Sequence, residues 1–192
     1  MIWNRLNIQV LCLIFTLLVF AAPASAKGWR LLVAKYSVLC YQTDEDLETF
    51  NKEIDFGGDG GGFLFFGGSS NEGPAMQKEV RRKLDRLVEK VQLILDMRKP
   101  FPRVRIELHP NAESLQQAYF RLYKKKKEIR AWFTFKRNTI YLNAEDIFSG
   151  MVAHELAHCV VDHYLSVRPP RATAEILARF VDQHLYEEAK TY

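Results

Sequence analysis

His154 and His158 stand four residues apart in the run His154-Glu155-Leu156-Ala157-His158. On an α-helix with 3.6 residues per turn, side chains four apart lie about 40° from each other around the axis, so both imidazoles can point at one ion. Neutral imidazole is a good zinc ligand, and a glutamate beside the first histidine can hold a water on that ion. The chemistry such a set can do is metal-assisted hydrolysis. A bound cation acidifies water, and Glu155 takes the proton from that water and later delivers it to a leaving group. A catalytic zinc site also needs a third protein ligand, with a fourth position left for water.

The residues around the motif bear on whether it is used. With Met151 to Leu165 as a helix, Val152, Ala153, Leu156, Ala157, Cys159, Val160, Val161 and Tyr164 cover most directions around it, so the helix should be buried. Its polar stripe holds His154, Glu155, His158 and Asp162, with Met151 and Leu165. Burying such groups is costly unless they are paired or bound to metal, which weighs against a chance pentapeptide on a core helix. Sixteen residues separate His158 from Glu175. Arg168-Pro169-Pro170-Arg171 breaks the chain between them, because proline cannot continue a helix. A second helix then reads Thr173 to Val181, with Ala174, Leu177, Ala178, Val181 and Leu185 on one face and Glu175 at its edge. A helix–turn–helix of this length can return a carboxylate to the histidines.

The two stretches together resemble the gluzincin zinc metallopeptidases, and within them the peptidase-MA-like proteins, whose second motif runs E-G-x-A-x-[YF]. Glu175-Ile176-Leu177-Ala178-Arg179-Phe180 matches its Glu, Ala and aromatic positions and has Ile176 where the family usually has Gly. The likeness spans roughly Thr139 to Leu185. It implies a Zn2+ ion held by His154, His158 and Glu175, with Glu155 as the general base. It also implies a zincin-like fold and peptide-bond hydrolysis on a peptide or protein substrate, cell-wall peptide included. In gluzincins an edge strand just before the metal helix runs beside the substrate backbone, so the resemblance assigns that part to the hairpin ahead of Asn143.

The rest of the chain must position these residues. Its 192 residues suffice for one domain with a core, and 48% apolar and 26% charged residues are ordinary for a globular protein. Residues 1–26 read as a signal peptide: Arg5, an apolar stretch from Ile8 to Ala22, Pro23, then Ala24-Ser25-Ala26 as cleavage site. The mature single domain would span 27–192, periplasmic or secreted. An uncleaved membrane anchor is the alternative, although the apolar run is short of the about 20 residues a span needs. Cys12 lies too far from the cleavage site to be a lipidation cysteine. Removing residues 1–26 takes away one arginine and lowers the net charge from +4 to +3, too mild to argue for nucleic acid.

Trp29 to Tyr41 reads as a strand, followed by an N-cap at Thr43 and a helix through Leu47, Phe50 and Ile54. Most of the glycines fall in residues 57–73 around Phe63-Leu64-Phe65-Phe66, a surface loop or else a flap or apolar patch. Pro74 to Lys99 is an amphipathic helix stopped by Pro100 and Pro102. Arg103 to Leu108 alternates as a strand, and Pro110-Asn111 opens a helix through Leu115, Ala118, Tyr119 and Leu122. Lys124 to Lys127 read as a solvated helix end rather than a binding patch. Ile129 to Phe135 and Thr139 to Asn143 form a hairpin around Lys136-Arg137-Asn138. The expected architecture is α+β, a mixed sheet of about four or five strands packed on helices that include the buried motif helix.

Other residues carry weaker expectations. Cys40 and Cys159 could pair in an exported protein or stay as buried thiols. Tyr164, Arg179, His109 and Tyr123 are candidates to donate to the oxyanion of a hydrolysis. Asp162 could orient a histidine, and Arg179 could pair with Glu175. His163 and His184 point away from the site on their helices. Against the enzyme reading stands an exported zinc-binding scaffold without catalysis, or an adaptor in which the motif is fortuitous. Glu155 speaks against the scaffold, since structural zinc sites close their fourth position with protein.

Overall fold

Short alternating runs build a five-stranded sheet in the computed structural model, which describes residues 28–55 and 74–187. The strands are β1 (Arg30–Val33), β2 (Ser37–Tyr41), β3 (Val104–His109), β4 (Ala131–Thr134) and β5 (Thr139–Asn143). Their order across the sheet is β1-β2-β3-β5-β4. The β2–β3 and β3–β5 pairs are parallel, and the two hairpins at the edges are antiparallel. Five helices complete the described fold: α1 (Asp44–Glu53), α2 (Pro74–Ile94), α3 (Ala112–Tyr123), α4 (Ser149–Tyr164) and α5 (Arg171–His184). The α+β class with a mixed sheet is as the sequence led us to expect. The expected signal peptide at 1–26 and the glycine-rich stretch 57–73 lie outside the described residues.

Strand alternation sorts the two sheet faces. Leu32, Leu39, Ile106 and Ile140 point to one face and form the main core with α1, α2, α4 and α5. Leu84, Leu87, Val88, Leu156 and Val160 of the helices are fully or almost fully buried there. Each such side chain contributes about 1.5–3 kcal/mol by leaving water. The opposite face is covered by α3, where Leu115 and Ala118 meet Trp132 and Tyr141. Farther out on the same face, Leu31 and Val33 are exposed.

Local chemistry sets the element ends. Thr43 caps α1 in a capping box with Asp46, and Asn111 caps α3 by accepting from the Ser114 N–H. Two expectations are corrected. The single strand expected over Trp29–Tyr41 is a hairpin, β1 and β2, joined by a turn with no glycine or proline. Asp85 of α2 supplies what such residues usually would, accepting from the Lys35 N–H (2.9 Å) and the Tyr36 N–H (3.2 Å). The helix expected to reach Lys99 ends at Ile94. Asp96 turns left-handed (φ 52°), with Asp96 N–H bonded to Leu93 O and Met97 N–H to Gln92 O, so a Schellman turn stops the helix before the prolines.

Asn138 ties the β4–β5 hairpin to its neighbours. Its backbone is left-handed, φ 46° and ψ 48°. Its Nδ2 donates to the carbonyls of Pro102 (3.2 Å) and Arg103 (3.0 Å). Its Oδ1 accepts from the Cys159 thiol at 3.5 Å and meets His163 Nε2 at 3.0 Å. His163 itself stacks on Phe101. One asparagine therefore joins the segment before β3, the hairpin and α4. Asn138→Ala is expected to destabilise the protein by about 2–3 kcal/mol, from strain at positive φ and the lost hydrogen bonds. Asn138→Gly should lose about 1 kcal/mol less, since glycine accepts that φ. Urea unfolding midpoints check this, and equal losses in both variants would show that the backbone conformation is not the constraint.

Candidate metal centre

The motif helix is α4, and its surroundings follow from its composition. Val152, Ala153, Leu156, Ala157, Cys159, Val160 and Val161 are buried in the core, which leaves His154, Glu155, His158 and Asp162 along the side that borders the cleft. α4 ends at Tyr164 with Leu165 as its C-cap, and Pro169-Pro170 separates it from α5. The turn between them is held by Arg168, whose Nε and Nη2 bond both oxygens of Asp162 at 3.0 and 2.7 Å. Arg168 also lies 4.8 Å over the Phe135 ring, which carries the contact on to the hairpin. α5 then packs along α4 with Ala178, Val181 and Leu185 buried.

This packing brings Glu175 to the histidines. Its Oε2 is 3.6 Å from His154 Nε2 and 3.8 Å from His158 Nε2. The three ligand atoms all lie within 4.8 Å of one another, which makes His154, His158 and Glu175 the set among the described residues able to hold a metal ion. Ile176, at the position where the gluzincin pattern has Gly, is 67% exposed, so its side chain leaves the α4–α5 contact alone; the small residue the contact uses is Ala178.

Glu155 is only 9% exposed. Burial raises its carboxyl to about 7, the Glu175 charge adds to this, and a hydrogen bond from the Phe133 backbone N–H opposes it. That N–H belongs to edge strand β4, beside the site. The His158 imidazole is held below its usual range, first by burial and then by the His154 charge, partly offset by Glu175 and Asp162. A neutral imidazole is the form that binds a metal.

The residues face a cleft of about 860 Å³. One wall is α4 with Asp162, Arg168 and Arg171; the other is β4 with Tyr119 and Tyr123 of α3 and Lys127 beyond it. Of the expected oxyanion donors, Tyr123 lines the cleft, and Tyr164, Arg179 and His109 do not. His109 is buried on the α3 side, bonded through Nδ1 to Ser114 Oγ at 2.9 Å, with Trp29 against its ring. Glu175 has Arg171 beside it at 3.7 Å rather than Arg179, an i,i+4 pair that the spacing along α5 allows. Asp162 serves Arg168 rather than a histidine ring. His163 bonds Asn138, and His184 bonds the Phe180 carbonyl at 2.7 Å, so neither lines the cleft. Cys40 and Cys159 are buried free thiols. Cys159 belongs to the main core and Cys40 faces the other side of the sheet from Leu39, which keeps them apart.

Sequence reasoning did not single out Arg168, Arg171 or the Phe133 N–H. The Arg171–Glu175 spacing was the one available signal. No family model matches this chain, and no curated protein or solved structure is significantly similar to it. The likeness to gluzincins therefore rests on His154, Glu155 and His158 together with Glu175, Ala178 and Phe180.

The buried carboxyl has a measurable consequence. An acid whose folded value lies above its unfolded 4.5 binds more protons in the native state between the two values, so native stability falls as pH rises through that window. Metal-free protein should lose up to about 3 kcal/mol from this group between about pH 4 and pH 8. Glu155→Gln should flatten that part of the profile and be the more stable protein at the alkaline end. Chemical unfolding across this range, with chelator present, checks both; identical profiles would show that Glu155 titrates normally.

Proposed function

We propose that this chain is an exported zinc-dependent metallopeptidase of the gluzincin type. The observation that carries the reading is the convergence of His154, His158 and Glu175 with a buried Glu155 beside them in one cleft. The donor set fits zinc. Two imidazoles and one carboxylate are the ligands of a common catalytic zinc site, and bonds of about 2.0–2.2 Å in a tetrahedron space ligand atoms about 3.3–3.6 Å apart. The 3.6 and 3.8 Å separations of Glu175 from the two histidines lie close to that spacing, and all three ligand atoms fall within 4.8 Å of one another. Zinc in that site would supply an acidified water and a polarised carbonyl.

The chain's own residues account for the other requirements. Glu155, with a proton affinity raised to about 7, is suited to accept a proton from water and return it to a leaving amine near neutral pH. The Phe133 N–H of β4 favours the ionised form of that carboxyl, against the effect of burial. β4 is the last strand of the sheet, with β5 on one side and the cleft on the other. An extended peptide can add to such an edge through its backbone. Arg168, by bonding Asp162, holds the turn that sets where Glu175 meets the histidines. The exported location rests on residues 1–26 of the sequence. Among the described residues no helix is long and apolar enough to cross a membrane.

A zinc-binding scaffold without catalysis shares the ligands and is separated by Glu155. Residues 27–192, purified without a metal-binding tag, should contain about one zinc per chain. His154→Ala and Glu175→Ala should each lose it. Glu155→Gln should keep the zinc while peptide hydrolysis falls by about 100- to 10,000-fold. Metal analysis alongside a peptide-library digest reads both. Zinc bound with no hydrolysis of any peptide would favour the scaffold, and failure to bind zinc on reconstitution would remove both readings.

A further inference from the structure

Resting on the peptidase reading, we propose that Tyr119, Tyr123 and Lys127 form a substrate subsite on the side of β4 away from the metal centre, selecting peptides with an acidic side chain there. Ala131 and Phe133 pack towards the core that contains α4, whereas Trp132 packs on the α3 side with Tyr141, Leu115 and Ala118. A peptide strand added to β4 continues the pleat, so its side chains alternate between the same two sides. One set meets α4 and α5; the other meets the end of α3.

The α3 side is built. Trp132 stacks on Tyr141 with ring centres 4.2 Å apart and planes 6° apart. Tyr119 packs edge-on against Trp132 at 5.3 Å, and Tyr123 packs on Tyr119 at 4.6 Å. The aromatic row runs from the sheet to the cleft, where both tyrosines are lining residues, and Tyr123 is partly open to solvent. α3 stops there with Lys124 in the left-handed conformation, and the chain turns towards β4 through Lys125, Lys126 and Lys127.

Charge settles the class of side chain. The helix C-terminus accounts for a cation at Lys124. Lys125 to Lys127 lie beyond it, and among the described residues none of the three has an ion pair or hydrogen bond. The other cations of the cleft are answered: Arg130 by Asp146, Arg168 by Asp162, and Arg171 by Glu175. Glu128 is the one acidic residue on the lysine wall of the cleft. Lys127 and Glu128 line the cleft with opposite charges and Lys125 and Lys126 flank them, so residues 125–128 keep a net charge of +2 (three lysines, one glutamate) on the α3 side, beside two phenols that can donate to a carboxylate.

The test uses two fluorescent extended peptides that differ in having Glu or Gln at every second position, bound to zinc-loaded Glu155→Gln protein and followed by anisotropy. The acidic peptide should bind about five-fold tighter, and the preference should vanish at about 1 M salt, where screening is complete within about 3 Å. Lys127→Glu should reverse the preference and Tyr123→Ala should weaken binding of the acidic peptide. Lys78→Glu, an equal change of charge at the start of α2, should leave the preference intact. Equal binding of the two peptides, or a preference that survives Lys127→Glu or is lost in Lys78→Glu, overturns the subsite. Incubating the same peptides with the unsubstituted protein separates this from the underlying reading. Cleavage of both without preference leaves the peptidase and removes the subsite. Selective binding with cleavage of neither leaves the subsite and removes the peptidase.

Discussion

α4 is apolar around most of its circumference, yet it carries His154, Glu155, His158 and Asp162 on one stripe, and the fold answers each of them separately. Asp162 is closed by a two-pronged bond to Arg168. Glu155 takes a backbone N–H from β4 and tends towards its neutral form. The two imidazoles face the Glu175 carboxylate across the helix pair. Each answer comes from a different element, so burying one helix fixes the relative positions of the α4–α5 turn, the α5 helix and the edge strand. The cleft is the space left where those three meet the stripe.

How much of this could be read beforehand varied with the range of the interaction. The motif helix, the return of Glu175 and the mixed sheet follow from spacing, proline breaks and alternation, which are local. The β1–β2 hairpin was hidden because its turn contains Ala34-Lys35-Tyr36, and its missing turn chemistry is supplied by Asp85 some fifty residues away. The early end of α2 was hidden because Asp96 adopts a conformation usually left to glycine or asparagine. Arg179 was the wrong partner for Glu175 because the helix begins earlier than expected, at Arg171, which places a closer arginine one turn before the carboxylate. Arg168 and the Phe133 N–H are tertiary contacts with no sequence signature.

The two arginines near the metal-ligand set have different parts. Arg168 is bonded in both prongs to a buried partner, so its charge is largely spent on geometry. Arg171 is mostly exposed and at 3.7 Å from Glu175 makes an ordinary surface pair, of the kind worth at most about 1 kcal/mol. Positioning of Glu175 thus depends on the turn and on the buried face of α5 rather than on the charge nearest to it.

Ile176 is compatible with the site although the gluzincin pattern it resembles has glycine there. A glycine is needed where a backbone approaches another closely or turns to positive φ. Neither holds here: Ile176 lies within α5 and projects into solvent, while Ala178, two residues later, is fully buried, and the glycine that meets the partner helix is Gly150 of α4, against Asp182 of α5. A larger side chain at 176 adds exposed apolar area at the rim of the helix pair. It leaves unchanged the separation that lets one carboxylate oxygen face two imidazoles.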